Sequence, residues 1–280
     1  MIRKLSLAVA SAALLAGCGG GDINLTPTNI DNSVDNSVAG GGGGSSNPCA
    51  QYVDVGGTTL QGNFDGQNCT YGSDFVGVGN PITVDLTIPF ISGVHIFEDS
   101  LFIGENVDTG PAPAEGQGAT VTVRGGNTLA FLDSQDYVLV NRGSQLVAAG
   151  SAAAPITFTA FSDAVLGTAG PEDVSLWGGI QLNGNGITNN CTDAERAADQ
   201  CNVLTEGQPS NYGGDTNTES SGVLSYVVTK HSGFEVAPGD ELNGITFNAI
   251  GSGTQVDHVE VYSTFDDGLE WFGSAVAVDK

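Results

Sequence analysis

The densest group of side chains that could bind an ion lies late in the sequence. Asp266, Asp267 and Glu270 stand close together, and His258 and Glu260 lie one short segment upstream. Calcium takes six to eight oxygen ligands, drawn from carboxylates, carbonyl groups and water. In a fold of stacked coils, neighbouring segments would bring these rows of side chains near one another. The pattern therefore predicts a calcium site at Asp266, Asp267 and Glu270.

A second interpretation of the same segment needs no ion. Gly268 follows the two aspartates and is suited to a tight turn, and Trp271 and Phe272 come shortly after it. Acidic residues at a turn are commonly solvated, while large aromatic side chains are buried. We favour this interpretation, in which an acidic turn precedes two aromatic residues of the core.

Catalytic chemistry finds little support in the sequence. The pair Asp266–Asp267 suggests a glycoside hydrolase similar to polygalacturonases, whose reaction uses two carboxyl groups. The sequence lacks the Gly-His-Gly and Arg-Ile-Lys segments that such a resemblance requires. A lyase would need a basic residue beside calcium, and the basic residues beyond the N-terminal segment stand in no recognisable setting: Arg124, Arg142, Arg196, Lys230 and Lys280.

Other catalytic residue types are scattered. His95, His231 and His258 lack the spacing of a metal site such as His-Glu-x-x-His, so we expect surface histidines or histidines with satisfied hydrogen bonds. Ser144 lacks the flanking glycines of a nucleophile elbow. The sequence thus contains no constellation typical of a hydrolase.

The N-terminal segment predicts export. Two positive charges precede a short apolar run, too short to span a bilayer, and Leu15-Ala16-Gly17-Cys18 resembles the bacterial lipobox. This resemblance implies that residues 1–17 are a signal peptide and that Cys18 is lipidated. Residues 18–48 then form a Gly/Ser-rich flexible tether. Because glycine and not aspartate follows Cys18, the resemblance favours the outer membrane, facing either the periplasm or the cell surface.

Four of the 5 cysteines remain when Cys18 is set aside. Export to an oxidising compartment favours disulfides, and closeness in sequence predicts the pairs Cys49–Cys69 and Cys191–Cys201, although four cysteines allow three connectivities. A four-thiolate metal site is the weaker alternative, because no Cys-x-x-Cys spacing is present. Residues 192–200 between the second pair are the one segment with a helical pattern.

The chain is strongly acidic, with 32 Asp and Glu against 7 Lys and Arg and a formal net charge of −25. Such a surface repels phosphate backbones, which excludes nucleic acid as a partner. It is equally unsuited to anionic lipid, so any membrane attachment has to be covalent.

Residues 49–280 carry short runs with alternating apolar and polar side chains, separated by Gly, Asn and Asp. This alternation is typical of half-buried strands. The runs are 82–88, 120–123, 137–140, 156–159, 224–228, 245–248 and 256–261. Their spacing approaches the coil period of a solenoid, so the sequence predicts an all-β protein with a right-handed parallel β-helix, and a β-sandwich is the alternative.

Three blocks carry a resemblance to a known family. Trp177-Gly178-Gly179, the segment 241–244 (Glu-Leu-Asn-Gly) and the segment 266–272 (Asp-Asp-Gly-Leu-Glu-Trp-Phe) resemble bacterial cell-envelope lipoproteins with a right-handed, pectin-lyase-like β-helix fold and no assigned activity. The resemblance extends over residues 80–278. Relatives continue with further coils, so we expect that the domain is truncated at its C-terminal end.

Together these observations predict a membrane-anchored envelope lipoprotein that acts without catalysis, as a structural, adhesion or ligand-binding module. Extended faces of stacked strands suit a glycan or an envelope protein as partner, and calcium is the one cofactor considered. The alternative function is a polysaccharide-active lyase or glycoside hydrolase on the same fold.

Overall fold

A computed structural model describes residues 47–207, 210–276 and 278–279. The predicted signal peptide, Cys18 and most of the tether lie outside these residues. The strands in chain order are β1 (Gln51–Val53), β2 (Thr59–Gln61), β3 (Asn63–Phe64), β4 (Cys69–Tyr71), β5 (Leu86–Ile88), β6 (Val94–Phe97), β7 (Leu101–Ile103), β8 (Thr120–Val123), β9 (Thr128–Phe131), β10 (Val138–Val140), β11 (Gln145–Ala149), β12 (Ile156–Ala160), β13 (Ile180–Asn183), β14 (Val203–Leu204), β15 (Asn211–Tyr212), β16 (Gly222–Ser232), β17 (Phe234–Ala237), β18 (Asp240–Leu242), β19 (Ile245–Ile250), β20 (Gln255–Thr264), β21 (Leu269–Ser274) and β22 (Val278–Asp279). The two helices are α1 (Phe161–Ala164) and α2 (Asp193–Ala197).

Most strands stack in parallel into three long faces. The first sheet contains β5, β8, β11 and β22 with the N-terminal parts of β16 and β20. The second contains β4, β6, β9 and β12 with the C-terminal parts of β16 and β20. The third contains β7, β10, β13, β19 and β21. The chain visits the second, third and first sheets in turn, as in β9, β10 and β11, and then returns to the second sheet at β12. This is a parallel β-helix, which confirms the predicted fold; a β-sandwich would be built from antiparallel sheets.

Stacked side chains fill the interior of the coils. Tyr71, Phe97, Phe131 and Trp177 form an aromatic row, and the Phe131 and Trp177 rings stack with centroids 4.6 Å apart. The Trp177 indole N–H donates to the carbonyl oxygen of Lys230 at 2.7 Å. Each ring of the row covers its neighbour, and all four are almost fully buried. The row therefore ties consecutive coils together through dispersion and apolar burial.

Two residues with left-handed backbone conformation bend the long strands. Tyr226 in β16 has φ 49° and His258 in β20 has φ 48°. The neighbours on either side pair in register, Ser225 with Asp257 and Val227 with Val259, so the two bends lie one above the other. Their rings stack with centroids 4.1 Å apart. At this corner each strand passes from the first sheet to the second without a loop.

The outer faces differ from the predicted half-exposed pattern in one sheet. The strands β7, β10, β13 and β19 are buried along their whole length. Their outward side chains are covered by the hairpins β14–β15 and β17–β18, for example Leu139, which packs with Leu242 and Phe234. The alternation that indicated half-burial therefore holds for strands such as β8 and β11 but not for the third sheet.

Both predicted disulfides are present. Cys49 is bonded to Cys69 beside the hairpin β1–β2, and Cys191 is bonded to Cys201, with Cα atoms 5.4 and 5.6 Å apart. The second bridge encloses the predicted helical segment, where α2 begins after a Thr192 side chain that accepts from the Glu195 amide in a capping box.

Candidate functional site

An open groove of about 410 Å³ lies on the outer face of the second sheet. Its floor is formed by β16 and β20 and its wall by residues 169–171, and its polar side chains are Asp163, Lys230, His231, Glu260 and Tyr262. We call this feature the groove. Among the described residues no hairpin covers this part of the second sheet, so side chains of its outer row reach solvent.

Strand register places these side chains side by side. Lys230 is paired with Tyr262 and Val228 with Glu260 across β16 and β20, and Thr157 is paired with Val228 across β12 and β16. Successive side chains of a strand point to opposite faces, so residues two apart share the outer face. Two short outward rows therefore run along the axis of the coils and define the floor of the groove.

Asp163 joins α1 to the floor. Its Oδ2 accepts hydrogen bonds from Lys230 Nζ at 2.6 Å and from Thr159 Oγ1 at 2.8 Å. Burial raises the pKa of the Asp163 carboxyl, but the hydrogen bonds from Lys230 and Thr159 outweigh burial and hold this pKa below its usual value. The carboxylate is therefore ionised and paired with the lysine at neutral pH.

His231 lies behind this ion pair. It has φ 60°, its Nδ1 donates to the carbonyl oxygen of Asp173 at 2.7 Å, and its Nε2 is 3.7 Å from Asp163 Oδ1. The Tyr262 ring lies edge-on to the imidazole, with centroids 5.6 Å apart. Since His231 is 2 % exposed and Tyr262 is 38 % exposed, the histidine supports the groove from below and the tyrosine offers a ring to a ligand.

The groove continues along the same face toward the N-terminal coils. A second depression is lined by Phe90, Thr128, Pro155 and Thr157, and Phe90 is 60 % exposed. Thr128, Thr157, Val228 and Glu260 form one paired row, which links the two depressions. Three interstrand steps of about 4.8 Å give this row a length of roughly 14 Å. The row is long enough to contact more than one unit of a polymer.

The predicted calcium ligands do not line the groove. Asp266 and Asp267 are exposed in the turn between β20 and β21, and Glu270 accepts a hydrogen bond from the Asn243 side chain. Burial, and then the charges of Asp267 and Asp266, raise the pKa of the Glu270 carboxyl. Across the described ranges, no group of three or more His, Cys, Asp or Glu side chains is arranged to hold a metal ion. The acidic turn exists, and calcium binding there stays a prediction.

The aromatic residues after this turn are less buried than predicted. Trp271 stacks on Phe247 with centroids 5.2 Å apart, but it is 42 % exposed. Strand β21 is the outermost strand of the third sheet in the described chain, so no further strand covers the free side of Trp271. Placing Trp271 in the core was therefore wrong, because a position that faces inward is buried only when a coil lies on each side.

The sequence does not bring the residues of the groove together. His231 and Glu260 stand out in it only singly, Lys230 is a basic residue without a recognisable setting, and nothing marks Asp163. Lys230 and Asp163 are 67 residues apart in sequence and meet through strand register. The one available signal was the Lys230-His231 pair, which joins two rare residue types in this acidic chain.

The other candidates have structural roles. His95 is fully buried, and its ring nitrogens lie 2.8 Å from the Tyr71 hydroxyl oxygen and 3.0 Å from the Pro89 carbonyl oxygen. Burial lowers the pKa of His95 to about 4, so its ring is neutral. The buried guanidinium of Arg142 donates to the carbonyl oxygens of Cys201 at 3.1 Å and Gly213 at 2.7 Å, which fixes the disulfide loop.

Comparison with known proteins agrees with the coil architecture. Residues 112–280 match the model of the family described as the pectate-lyase-like β-helix domain. The chain belongs to this family. No curated protein and no solved structure gives a significant match. The groove lies within the matched region of this pectate-lyase-like β-helix domain, except for Phe90. None of the helices in the described part of the chain is long and apolar enough to cross a membrane.

Proposed function

We propose that this pectate-lyase-like β-helix domain binds an extended, uncharged polysaccharide along the groove, without cleaving it. The observation that carries the proposal is the outward-facing, partly exposed row from Thr128 to Glu260, with an exposed aromatic ring near each end, Phe90 and Tyr262. Each sugar ring has apolar faces made of C–H groups and carries hydroxyl groups around its edge. Sugar rings therefore suit a floor of threonine, valine and aromatic side chains beside a charged pair.

The state of the charged groups favours binding over catalysis. A general base needs a free lone pair and a general acid needs a proton near neutral pH. The hydrogen bonds that Asp163 accepts from Lys230 and Thr159 hold its pKa low, so this carboxylate has no proton to donate and is a weak base, and it is paired with the Lys230 ammonium at 2.6 Å. His231 is buried and its Nδ1 is bonded to a main-chain carbonyl. The pair retains spare hydrogen-bonding capacity for sugar hydroxyl groups.

The negative charge of the protein favours an uncharged polysaccharide over an acidic one. The chain has a net charge of −25, and Asp163 and Glu260 add two carboxylates to the groove against the single ammonium of Lys230. A polyuronate would bring further negative charge to this surface and be repelled. An uncharged glycan meets no such repulsion.

The test is affinity electrophoresis of the full chain in gels that contain a soluble neutral glucan such as hydroxyethyl cellulose, run beside gels with polygalacturonate. We expect retardation by the neutral polymer only. Tyr262→Ala removes an exposed ring and should weaken binding about five- to tenfold, which corresponds to ~1–1.4 kcal/mol.

Phe265→Ala is the matched control, because Phe265 is 45 % exposed but does not line the groove. Equal weakening in both variants, or no retardation by any neutral polymer, would overturn the proposal. Release of shortened glycan by the wild-type chain and not by Lys230→Met would replace binding with catalysis.

We further propose that a lipid on Cys18 anchors the domain at the outer membrane, where the groove would meet envelope or extracellular glycans. Support comes from the lipobox-like segment and the acidic surface, which is unsuited to anionic lipid. Metabolic labelling with a fatty acid, compared between the wild-type chain and Cys18→Ser, tests the anchor. Thermal unfolding with calcium and then with chelator tests the separate calcium prediction, which an Asp266→Ala/Asp267→Ala variant would localise.

A further inference from the structure

A second cavity lies away from the groove, beneath the hairpin β17–β18. It measures about 280 Å³. Its lining includes the apolar side chains of Phe234, Val236 and Leu242 and the polar side chains of Asp99, Asp136 and Tyr137. We call it the hairpin cavity. It combines apolar side chains with a few acidic ones, which is the composition of many small-molecule sites.

The Tyr137 hydroxyl has no hydrogen-bond partner among the described residues, although Tyr137 is 97 % buried, with 3 % of its surface exposed. An unsatisfied buried polar group costs about 1–3 kcal/mol. Burial raises the pKa of this hydroxyl, and the charges of Asp99 and Asp136 raise it further. The hydroxyl therefore interacts electrostatically with both carboxylates but forms a hydrogen bond with neither.

The two carboxylates have only uncharged hydrogen-bond donors as partners in the described part of the chain. Asp99 Oδ1 accepts from the Ser100 amide at 2.7 Å, and Asp136 Oδ2 accepts from the Asp133 amide at 2.8 Å. Within the described ranges, neither aspartate forms a salt bridge. Asp136 is 7 % exposed, and burial, with smaller contributions from Asp99 and Asp133, raises the pKa of its carboxyl to about 6. A positive charge placed here would offset the cost of burying the Asp136 carboxylate and its repulsion by Asp99 and Asp133.

We propose that the hairpin cavity binds a small organic ammonium ion with an apolar body, such as a primary alkylamine. An ammonium group donates three hydrogen bonds, and the cavity offers three acceptors in Asp99, Asp136 and the Tyr137 hydroxyl oxygen. The hydrocarbon would lie against Phe234 and Leu242, which already pack as one apolar cluster with Tyr137.

An organic cation fits better than a metal ion. Calcium keeps six to eight oxygen ligands, whereas Phe234, Val236 and Leu242 make part of the lining apolar. The net charge of −25 adds long-range attraction for any cation.

The experiment is isothermal titration of the full chain with n-hexylamine, with 1-hexanol and calcium chloride as comparison ligands. We expect saturable binding of hexylamine and at least tenfold weaker binding of hexanol and calcium. Asp99→Asn should weaken hexylamine binding about tenfold or more, and Tyr137→Phe, which keeps the ring, should weaken it severalfold.

Glu98→Gln is the matched control, because Glu98 is exposed, precedes Asp99 and does not line the cavity. Loss of binding in Asp99→Asn with retention in Glu98→Gln supports the site. Equal affinities for hexylamine and hexanol would overturn the ammonium specificity, and binding unchanged in both Asp99→Asn and Tyr137→Phe would overturn the location. Tighter binding of calcium than of hexylamine would overturn the choice of ligand.

Discussion

Glu219 makes the stability of the protein depend on pH in a direction that can be calculated. The side chain is 1 % exposed and has no cationic partner in the described residues. Its Oε1 accepts from the Gly251 amide, and its Oε2 accepts from the Ser221 hydroxyl at 3.3 Å. Burial raises the pKa of the Glu219 carboxyl to about 7 because it outweighs these hydrogen bonds, and the charge of Glu115 adds to the increase.

The sign follows from proton binding. Between the ordinary carboxyl pKa of 4.5 and the folded value of about 7, the folded chain binds a proton at Glu219 and the unfolded chain does not. The stabilisation from this proton is fully present below pH 4.5 and is lost as the pH rises through 7. At 1.36 kcal/mol per pKa unit, this difference corresponds to about 3 kcal/mol.

Replacing Glu219 with glutamine removes the titration and keeps both hydrogen bonds, since the amide oxygen accepts from Gly251 and the amide group donates to Ser221. We expect Glu219→Gln to be more stable than the wild-type chain by up to about 3 kcal/mol at pH 8 and close to it at pH 5. Because all other carboxyl groups are shared, the comparison cancels their contributions.

The assay is urea unfolding followed by circular dichroism at pH 5 and pH 8. Glu235→Gln serves as the control because Glu235 is exposed on β17, and it should show the wild-type pH dependence. If Glu219→Gln differs from the wild-type chain by the same amount at both pH values, the carboxyl group does not titrate as argued. A variant that is less stable than wild type at pH 8 would refute the reasoning.

Two further substitutions test the disulfide and the close packing of the coils. Replacing both Cys191 and Cys201 with serine opens a loop with a sequence separation of 10 and should lower the free energy of unfolding by roughly 3 kcal/mol in urea titrations without reductant; a change below about 1 kcal/mol would contradict this. Gly222→Ala should be strongly destabilising in thermal unfolding, because Gly222 has φ 117° and an added Cβ would lie 2.1 Å from the Leu146 carbonyl oxygen. Gly57 also has a positive φ, but a Cβ added there would meet no atom within 4 Å. Gly57→Ala should therefore lower the free energy of unfolding by only about 1–2 kcal/mol, from backbone strain. Equal losses of stability in both variants would show that the clash at Gly222 is not the cause.

Local pattern predicts the positions of several strands well. The predicted run 120–123 coincides with β8, and the runs 156–159 and 245–248 lie within β12 and β19. The pattern missed the bends. The predicted runs 224–228 and 256–261 lie within the longer strands β16 and β20, which continue through Tyr226 and His258. Non-glycine residues rarely adopt the left-handed conformation, so no local rule predicts a corner at these two positions.

The contacts within the groove could not be predicted from the sequence for a different reason. Lys230 and Tyr262 are neighbours only because β16 and β20 pair in one register, and a slip of β20 by a single residue would turn the Tyr262 side chain into the core. Asp163 reaches Lys230 from the short helix α1, which follows β12 and has no side-chain cap to mark it in the sequence. The acidic turn at Asp266 is a dense sequence pattern and is therefore easy to find, whereas the groove is assembled across coils.

Insertions between coils decide which face of the β-helix is open to a ligand. The segment between β13 and β16 carries the hairpin β14–β15, and the segment between β16 and β19 carries the hairpin β17–β18. Both lie over the third sheet, where the outward-facing Gln181 and Thr246 are 2 % and 1 % exposed. On the second sheet, the equivalent outward positions Glu260 and Tyr262 remain exposed. The same stacked scaffold therefore offers a partly covered cavity under one hairpin and a more open groove on the second sheet. This difference is why we assign a small ligand to the first and a polymer to the second.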